Sequence, residues 1–359
     1  MKRYSVLLFI VVAVFYFQNC QTTTAPVSVD LEQIPYKKLS EYNFFKGELK
    51  SLTANDAVLK YEPITPLFTD YAKKSRFVWM PKGVKASINE AGIIEYPNGA
   101  VLIKNFFYPH DFAKADEGTD MVETRLLIKK DEEWQAFTYV WNQDATDAEL
   151  TKVGAVKAVN WKDENGQAKS VNYIVPNKNQ CKSCHQQNTI LKPIGTKVRN
   201  INSSLKYADG TEMNQLEKWM EVGYLQKTDY QKFPPIADWQ DENAPLQARA
   251  MAYLEANCAH CHSEGGQART TGLYLTTDEN NPSHLGFCKG PVAAGKGSGG
   301  RKVSIHPGSP EKSILLFRMQ SNDPGIMMPE LGRAIAHTEG VALVESWIAS
   351  LEKEDCKQE

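Results

Sequence analysis

From about residue 39 to residue 176 the apolar positions alternate with polar ones or form short blocks. These are RFVWM from Arg76, GAVLIKNFFY from Gly99, VETRLLIKK from Val122, EWQAFTYVW from Glu133 and KSVNYIVP from Lys169. Runs of this length, rich in β-branched and aromatic residues, predict strands. Turn signals separate them, and Asn98-Gly99 and Asn165-Gly166 are hairpin cues. The expectation is an antiparallel sandwich or sheet. The period then changes. Leu246, Ala250, Tyr253 and Leu254 recur at helical spacing, as do Val344, Trp347, Ile348 and Leu351 after a Thr338 cap. SPEKSILLFRM predicts a helix opening at Ser309 or Pro310, and GTEMNQLEKWMEVGYL another around Leu216 and Leu225. DWQDENAP, from Asp238 to Pro245, reads as a linker.

The first segment has a different logic. Lys2 and Arg3 precede the apolar run SVLLFIVVAVFYF, which is shorter than the roughly 20 residues of a comfortable membrane span, so it reads as an export signal. Cys20 follows at once, then TTTAPVS as a tether. The pattern resembles a bacterial lipoprotein signal in which Cys20 is lipidated, although Phe17-Gln18-Asn19 lacks the small residue usual before that cysteine. Cleavage near Ala25 and an uncleaved anchor are the rival readings. All three put the folded part outside the cytoplasm, on the periplasmic side of the envelope.

Composition narrows the rest. A net charge of -2 over 359 residues implies no strong field and no nucleic-acid partner. KKDEE from Lys129 and the tail EKEDCKQE read as solvated surface. Seven cysteines are too few to staple so long a chain, and four of them form two identical patterns. Cys181-Lys-Ser-Cys184-His185 and Cys258-Ala-His-Cys261-His262 both match C-x-x-C-H, the c-type haem attachment signature. The spacing brings two thiols to one porphyrin edge as thioethers and aims the adjoining histidine at the iron. Roughly 0.003 such motifs are expected by chance at this composition. A thioredoxin-like pair would not need the trailing histidine twice. A four-cysteine zinc site leaves both histidines unexplained.

An electron-transfer haem usually carries a sixth ligand, often a methionine. Met328-Pro329, in a loop before the last helix, is placed to ligate the second haem, with Met327 as immediate rival and Met319 as core. For the first haem Met213 is the best placed candidate and His110 a distant one. His260 reads as a surface residue. GKGSGG from Gly295 matches a dinucleotide fingerprint, but without the strand and helix it requires it reads as a loop. Cys288 and Cys356 could form a disulfide or remain free thiols.

With these motifs the chain resembles a family of exported, often lipoprotein, dihaem c-type cytochromes of Gram-negative bacteria. The resemblance rests on LSEYNFF, TPLFTDYAKKSRFVWMPKG, NYIVPNKNQCKSCH, NQLEKW, YLEANCAHCH, GPVAAGKGSGG and MMPELGR. It implies two covalent haems and a C-terminal domain like class I cytochrome c. The expected architecture is therefore α+β and multidomain. A signal peptide spans 1–19, a tether 20–38, an antiparallel β-rich domain 39–176, a first haem segment 177–237 and an all-α cytochrome c-like domain 246–353. Two functions stay open: electron transfer between unidentified envelope partners, or a dihaem peroxidase-like enzyme with one open-site haem.

Overall fold

A computed structural model describes residues 24–356. The export signal and Cys20 lie outside the described residues. Strands β1 (Leu59–Lys60), β2 (Lys73–Trp79), β5 (Val101–Pro109), β6 (Thr119–Lys130), β7 (Glu133–Trp141) and β8 (Ala148–Thr151) form one antiparallel sheet in the order β1-β2-β5-β6-β7-β8. β3 (Ser87–Ile88) and β4 (Ile94–Glu95) form a small hairpin, and β9 (Ala155–Lys162) pairs with β10 (Ala168–Val175) beside the sheet.

Alternation in the strands separates two faces. One buries Phe77, Val101, Ile103, Leu126 and Ile128 under the N-terminal segment, where Leu39, Tyr42 and Phe44 close the core. The other buries Val78 and Leu102 beneath α2 (Val198–Ile201) and α3 (Gln215–Glu221), through Val198, Ile201, Leu216 and Trp219. The β9–β10 ribbon covers Phe106 and Tyr108 with Trp161 and Tyr173. The predicted strands and the Asn165-Gly166 hairpin are present. Asn98-Gly99 joins no strand pair. Instead the Asn98 amide side chain donates to Glu132 at 2.9 Å. Asp131 and Glu132, both at positive φ (52° and 61°), make the β6–β7 turn, so KKDEE is a hairpin end whose Asp131, Glu132 and Glu133 are exposed.

The expectation of an all-α cytochrome c-like domain is overturned. The described residues are dominated by the six-stranded sheet, and their helices are short, the longest being 13 residues. In the C-terminal part, α4 (Leu246–Asn257), α6 (Ile314–Gln320) and α7 (Thr338–Ser350) share one core through Tyr253, Leu316, Val344 and Trp347. Between α4 and α6, however, only the four-residue α5 (Pro282–Leu285) and 3-10 turns occur. Glycines at 265, 266, 272, 286, 290, 295, 297, 299, 300 and 308 fall there, and each removes helix propensity. Cys288 and Cys356 are disulfide-bonded, tying that loop to the tail.

The two halves are fastened to one another. The Phe68 backbone N–H donates to Asn257 Oδ1 at 2.8 Å. The buried Asp70 carboxylate accepts from the backbone N–H groups of Ala334 and Ile335 at 2.7 and 3.0 Å.

Candidate functional site

The first motif lies on α1 (Lys178–His185), a helix that the Pro/Asn turn after β10 opens directly. Asn177 caps it: its side chain accepts from Asn179 and Gln180, and Gln180 accepts from the Asn177 N–H at 2.9 Å. Cys181 and Cys184, three apart, therefore share a face. The helix packs against β7, and Thr138 of that strand lines the same cavity as Cys181. His185 ends the helix, and its Nδ1–H donates to the Lys192 carbonyl at 2.8 Å. That bond fixes the tautomer and leaves Nε2 as the nitrogen free to ligate. Burial pulls His185 down to about 4, so the ring is neutral, as a metal ligand requires.

The second motif follows the end of α4. The backbone N–H groups of Cys261 and His262 both donate to the Cys258 carbonyl, at 3.0 and 2.8 Å, which coils the motif into a tight turn. Gly266 packs so closely that a Cβ there would meet the Cys261 carbonyl oxygen at 2.1 Å. Burial also brings His262 down to about 4. Its Nδ1 is buried without a hydrogen-bond partner, although the Leu273 backbone lies near enough to favour its proton.

The two motifs abut. Cys261 Sγ lies 3.6 Å from the Ser183 carbonyl, which sets the Cys261 thiol beside that of Cys184. That contact, with help from His260, holds the Cys184 thiol below the ordinary range. His260 is thus not a surface residue: it is 8% exposed, its Nδ1 has no partner, and it faces the first motif. Its position between two haem-motif cysteines gave no hint that another motif would lie against it.

A cavity of about 410 Å³ opens between the motifs and the sheet, within the range of a ligand pocket. Cys181, Cys184, His185, Cys258 and His260 line it, together with Met327 and Met328. His262 does not. Met328 is held at both ends of its peptide unit: its N–H donates to the Arg318 carbonyl at 3.0 Å, and its carbonyl accepts from Arg333 Nη2 at 2.8 Å. Met327 is buried beside it, and Met319, buried in the helical core, also reaches the cavity wall. Met213 pairs with Leu205 in a short hairpin and is not among the residues lining the cavity. His110 is also remote, paired at the surface with Asp120 at 2.9 Å. GKGSGG forms a 3-10 turn at Gly295–Ser298, as its loop reading expects.

The sheet supplies the opposite wall, and its chemistry was not visible in the sequence. Strand register sets Arg76 opposite Lys104, Lys104 opposite Arg125, and Arg125 opposite Thr138. Directly opposed residues share a face, so three cations stand in one row, and all three line the cavity. At ~6 Å and an effective dielectric of 20, each neighbouring pair repels by about 3 kcal/mol. Only Arg125 is neutralised: its Nε donates to Glu123 Oε2 at 2.9 Å, its Nη2 to Oε1, and the Tyr173 hydroxyl adds a bond to Oε1 at 2.6 Å. Arg76 is 7% exposed and makes no side-chain ion pair among the described residues. The nearest carboxylate acting on it, Glu62, is taken by Lys60 at 2.6 Å. Lys104 has only the Phe106 ring, 4.9 Å from its Nζ. Burial, then repulsion from its cationic neighbours, drives Lys104 well below the lysine range.

Haem c is the group the motifs imply, and the residues fit it. The four motif thiols are free while the other pair of described cysteines is oxidised. His185 presents one nitrogen, three methionines line the cavity, and unpaired cations face it. Among the described residues no three or more His, Cys, Asp or Glu side chains converge as a direct metal-ligand set. Iron inside a porphyrin needs only one or two protein ligands. No family model, no curated protein and no solved structure matches the chain.

Proposed function

We propose that the chain is an exported c-type electron-transfer protein carrying two covalent haems, one at Cys181, Cys184 and His185 and one at Cys258, Cys261 and His262. One observation carries the reading: both C-x-x-C-H motifs open on the same cavity, and Cys261 Sγ of one lies 3.6 Å from the Ser183 carbonyl of the other. When bound, haem iron supplies a one-electron couple. The chain's own parts are a pair of thiols for each porphyrin edge, neutral His185 and His262 as proximal ligands, and Met328 or its neighbour Met327 as a thioether donor. The Lys192 carbonyl orients His185. Arg318 and Arg333 hold the backbone of Met328. The Cys288–Cys356 disulfide and the apolar leader support an oxidising, extracytoplasmic location, with lipidation at Cys20 as the membrane attachment. Among the described residues no helix is long and apolar enough to cross a membrane.

A second reading, a peroxidase-like enzyme with one open-site haem, draws support from the absence of Met213 from the cavity lining. One experiment tests both: optical and resonance spectra, with a haem-to-protein ratio, of the chain matured by haem-attachment machinery. Two low-spin haems support electron transfer. One high-spin haem moves the reading to the enzyme, and a chain that binds no covalent haem sinks both. Replacing Met328 by Ala should lower one potential and open that iron to carbon monoxide. If only Met327→Ala does so, the ligand is Met327.

A further inference from the structure

The row Arg76–Lys104–Arg125 is a charge imbalance at the cavity wall that the reading above leaves unused. An arginine cannot shed its proton, so Arg76, buried at the cavity wall without a partner, calls for an anion. The place of that anion follows from the row. Cys181 sits at one end, on α1 packed against β7, where Thr138 also lines the cavity, and Arg76 stands at the other end on β2. Three strand spacings separate them, about 14 Å. A porphyrin held by thioethers at its vinyl edge carries its two carboxylates on the opposite edge, so the ends of the row match the ends of that molecule in charge and order. Arg125, already satisfied by Glu123, is the cation nearest the thioether end and has no anion left to seek.

We propose that Arg76 and Lys104 bind the carboxylates of the porphyrin attached through Cys181 and Cys184. The proposal rests on the haem reading above and deepens it for the first site. The guanidinium of Arg76 offers a two-pronged donor set suited to a carboxylate, and Lys104 a point charge beside it. Their pairing keeps the carboxylates ionised and removes the repulsion within the row.

The test uses the full chain matured with two haems, compared with Arg76→Gln, Lys104→Met and the double variant. Haem-to-protein ratio and the two midpoint potentials are measured against pH. The expected result is two attached haems throughout and one potential unchanged. The other should fall by at least tenfold in its redox equilibrium, about 59 mV for one electron. That potential should also acquire a new pH dependence as the unpaired carboxylates titrate. Arg76→Lys, which keeps the charge, should retain most of the wild-type value. Unchanged potentials in a double variant with both haems would overturn the proposal. So would a fall with no new pH dependence, since the cations would then act only through space. If the double variant does not fold, Arg76→Gln alone carries the same two outcomes. A wild-type chain without haem at Cys181 and Cys184 would instead remove the reading beneath the proposal.

Discussion

Replacing Glu123 by Gln is the sharpest probe of the sheet wall. Glu123 is fully buried and is the anion that neutralises Arg125, whose side chain is one-quarter exposed. Gln keeps the shape and an acceptor for Tyr173 but removes the charge. The row then holds three uncompensated cations instead of two, in a site where Arg125 cannot reach water freely. Breaking a buried pair by removing one partner costs about 3–5 kcal/mol. For a domain of this size that lowers the melting temperature by about 6–20 °C at roughly 2–4 °C per kcal/mol. The measurement is the urea midpoint together with its slope. A lower midpoint at constant slope reports stability, whereas a changed slope would report a different denatured or native state. Glu123→Gln combined with Arg125→Met should recover much of the loss, because the orphaned charge leaves as well. A single variant within ~1 kcal/mol of wild type would refute the reasoning, since the row would then tolerate a third free cation.

Three further outcomes are expected. Gly266→Ala places a Cβ against the Cys261 carbonyl. Overpacking there should cost about 1–3 kcal/mol and leave the second motif substoichiometric in haem, read as a ratio falling from two towards one. Burial, ahead of the opposing effect of Glu339, holds His337 at about 4 in the fold, against about 6.5 in the unfolded chain. As pH falls below 6.5 the unfolded chain takes up a proton that the fold refuses until about 4. Stability should therefore decline across that window by up to about 1.4 kcal/mol per pH unit. His337→Phe should flatten the slope of urea midpoint against pH, and parallel slopes would dismiss the assignment. Cys288→Ser opens a crosslink spanning 68 residues and should cost about 2–4 kcal/mol of stability under non-reducing conditions, read by thermal melts. No loss would mean that the tail adds nothing to the fold.

What could be read from the chain follows from the range of the signals. Alternation and β-branched runs are local, so the long strands of the sheet and the Asn165-Gly166 turn were visible. Helical spacing likewise marked α4 and α7. The all-α domain failed because three good helices were extended, by resemblance, across a stretch whose glycines argue against helix. The Asp131-Glu132 turn was hidden because neither residue is the Asn or Gly that usually advertises positive φ. The motifs were legible, being five residues each. Their contact with one another, the burial of His260 and the row Arg76–Lys104–Arg125 were not. Each depends on long-range pairing, and register is a property of two strands at once. Met213 shows the converse: position before a helix suggested a ligand, but a three-residue hairpin fixed it elsewhere.

The arrangement also assigns work to the β-rich half. Its sheet is one wall of the cavity, and charges on that wall would act on the haem proposed for the motifs. A cation near haem iron disfavours the oxidised, more positive state, and so raises the potential. The same half positions the thioether loop. Asp70 accepts from Ala334 and Ile335, a few residues beyond Met328, while its own carbonyl accepts from the buried Tyr108 hydroxyl of β5 at 2.6 Å. Burial raises the Asp70 carboxyl, so its ionised form depends on those two N–H donors. The 238–245 turn segment joins two units in sequence, but the site belongs to neither alone. Separated at that turn, the C-terminal half would keep Cys258, Cys261, His262 and Met328 but lose Asp70, the clamp that ties their loop to the sheet.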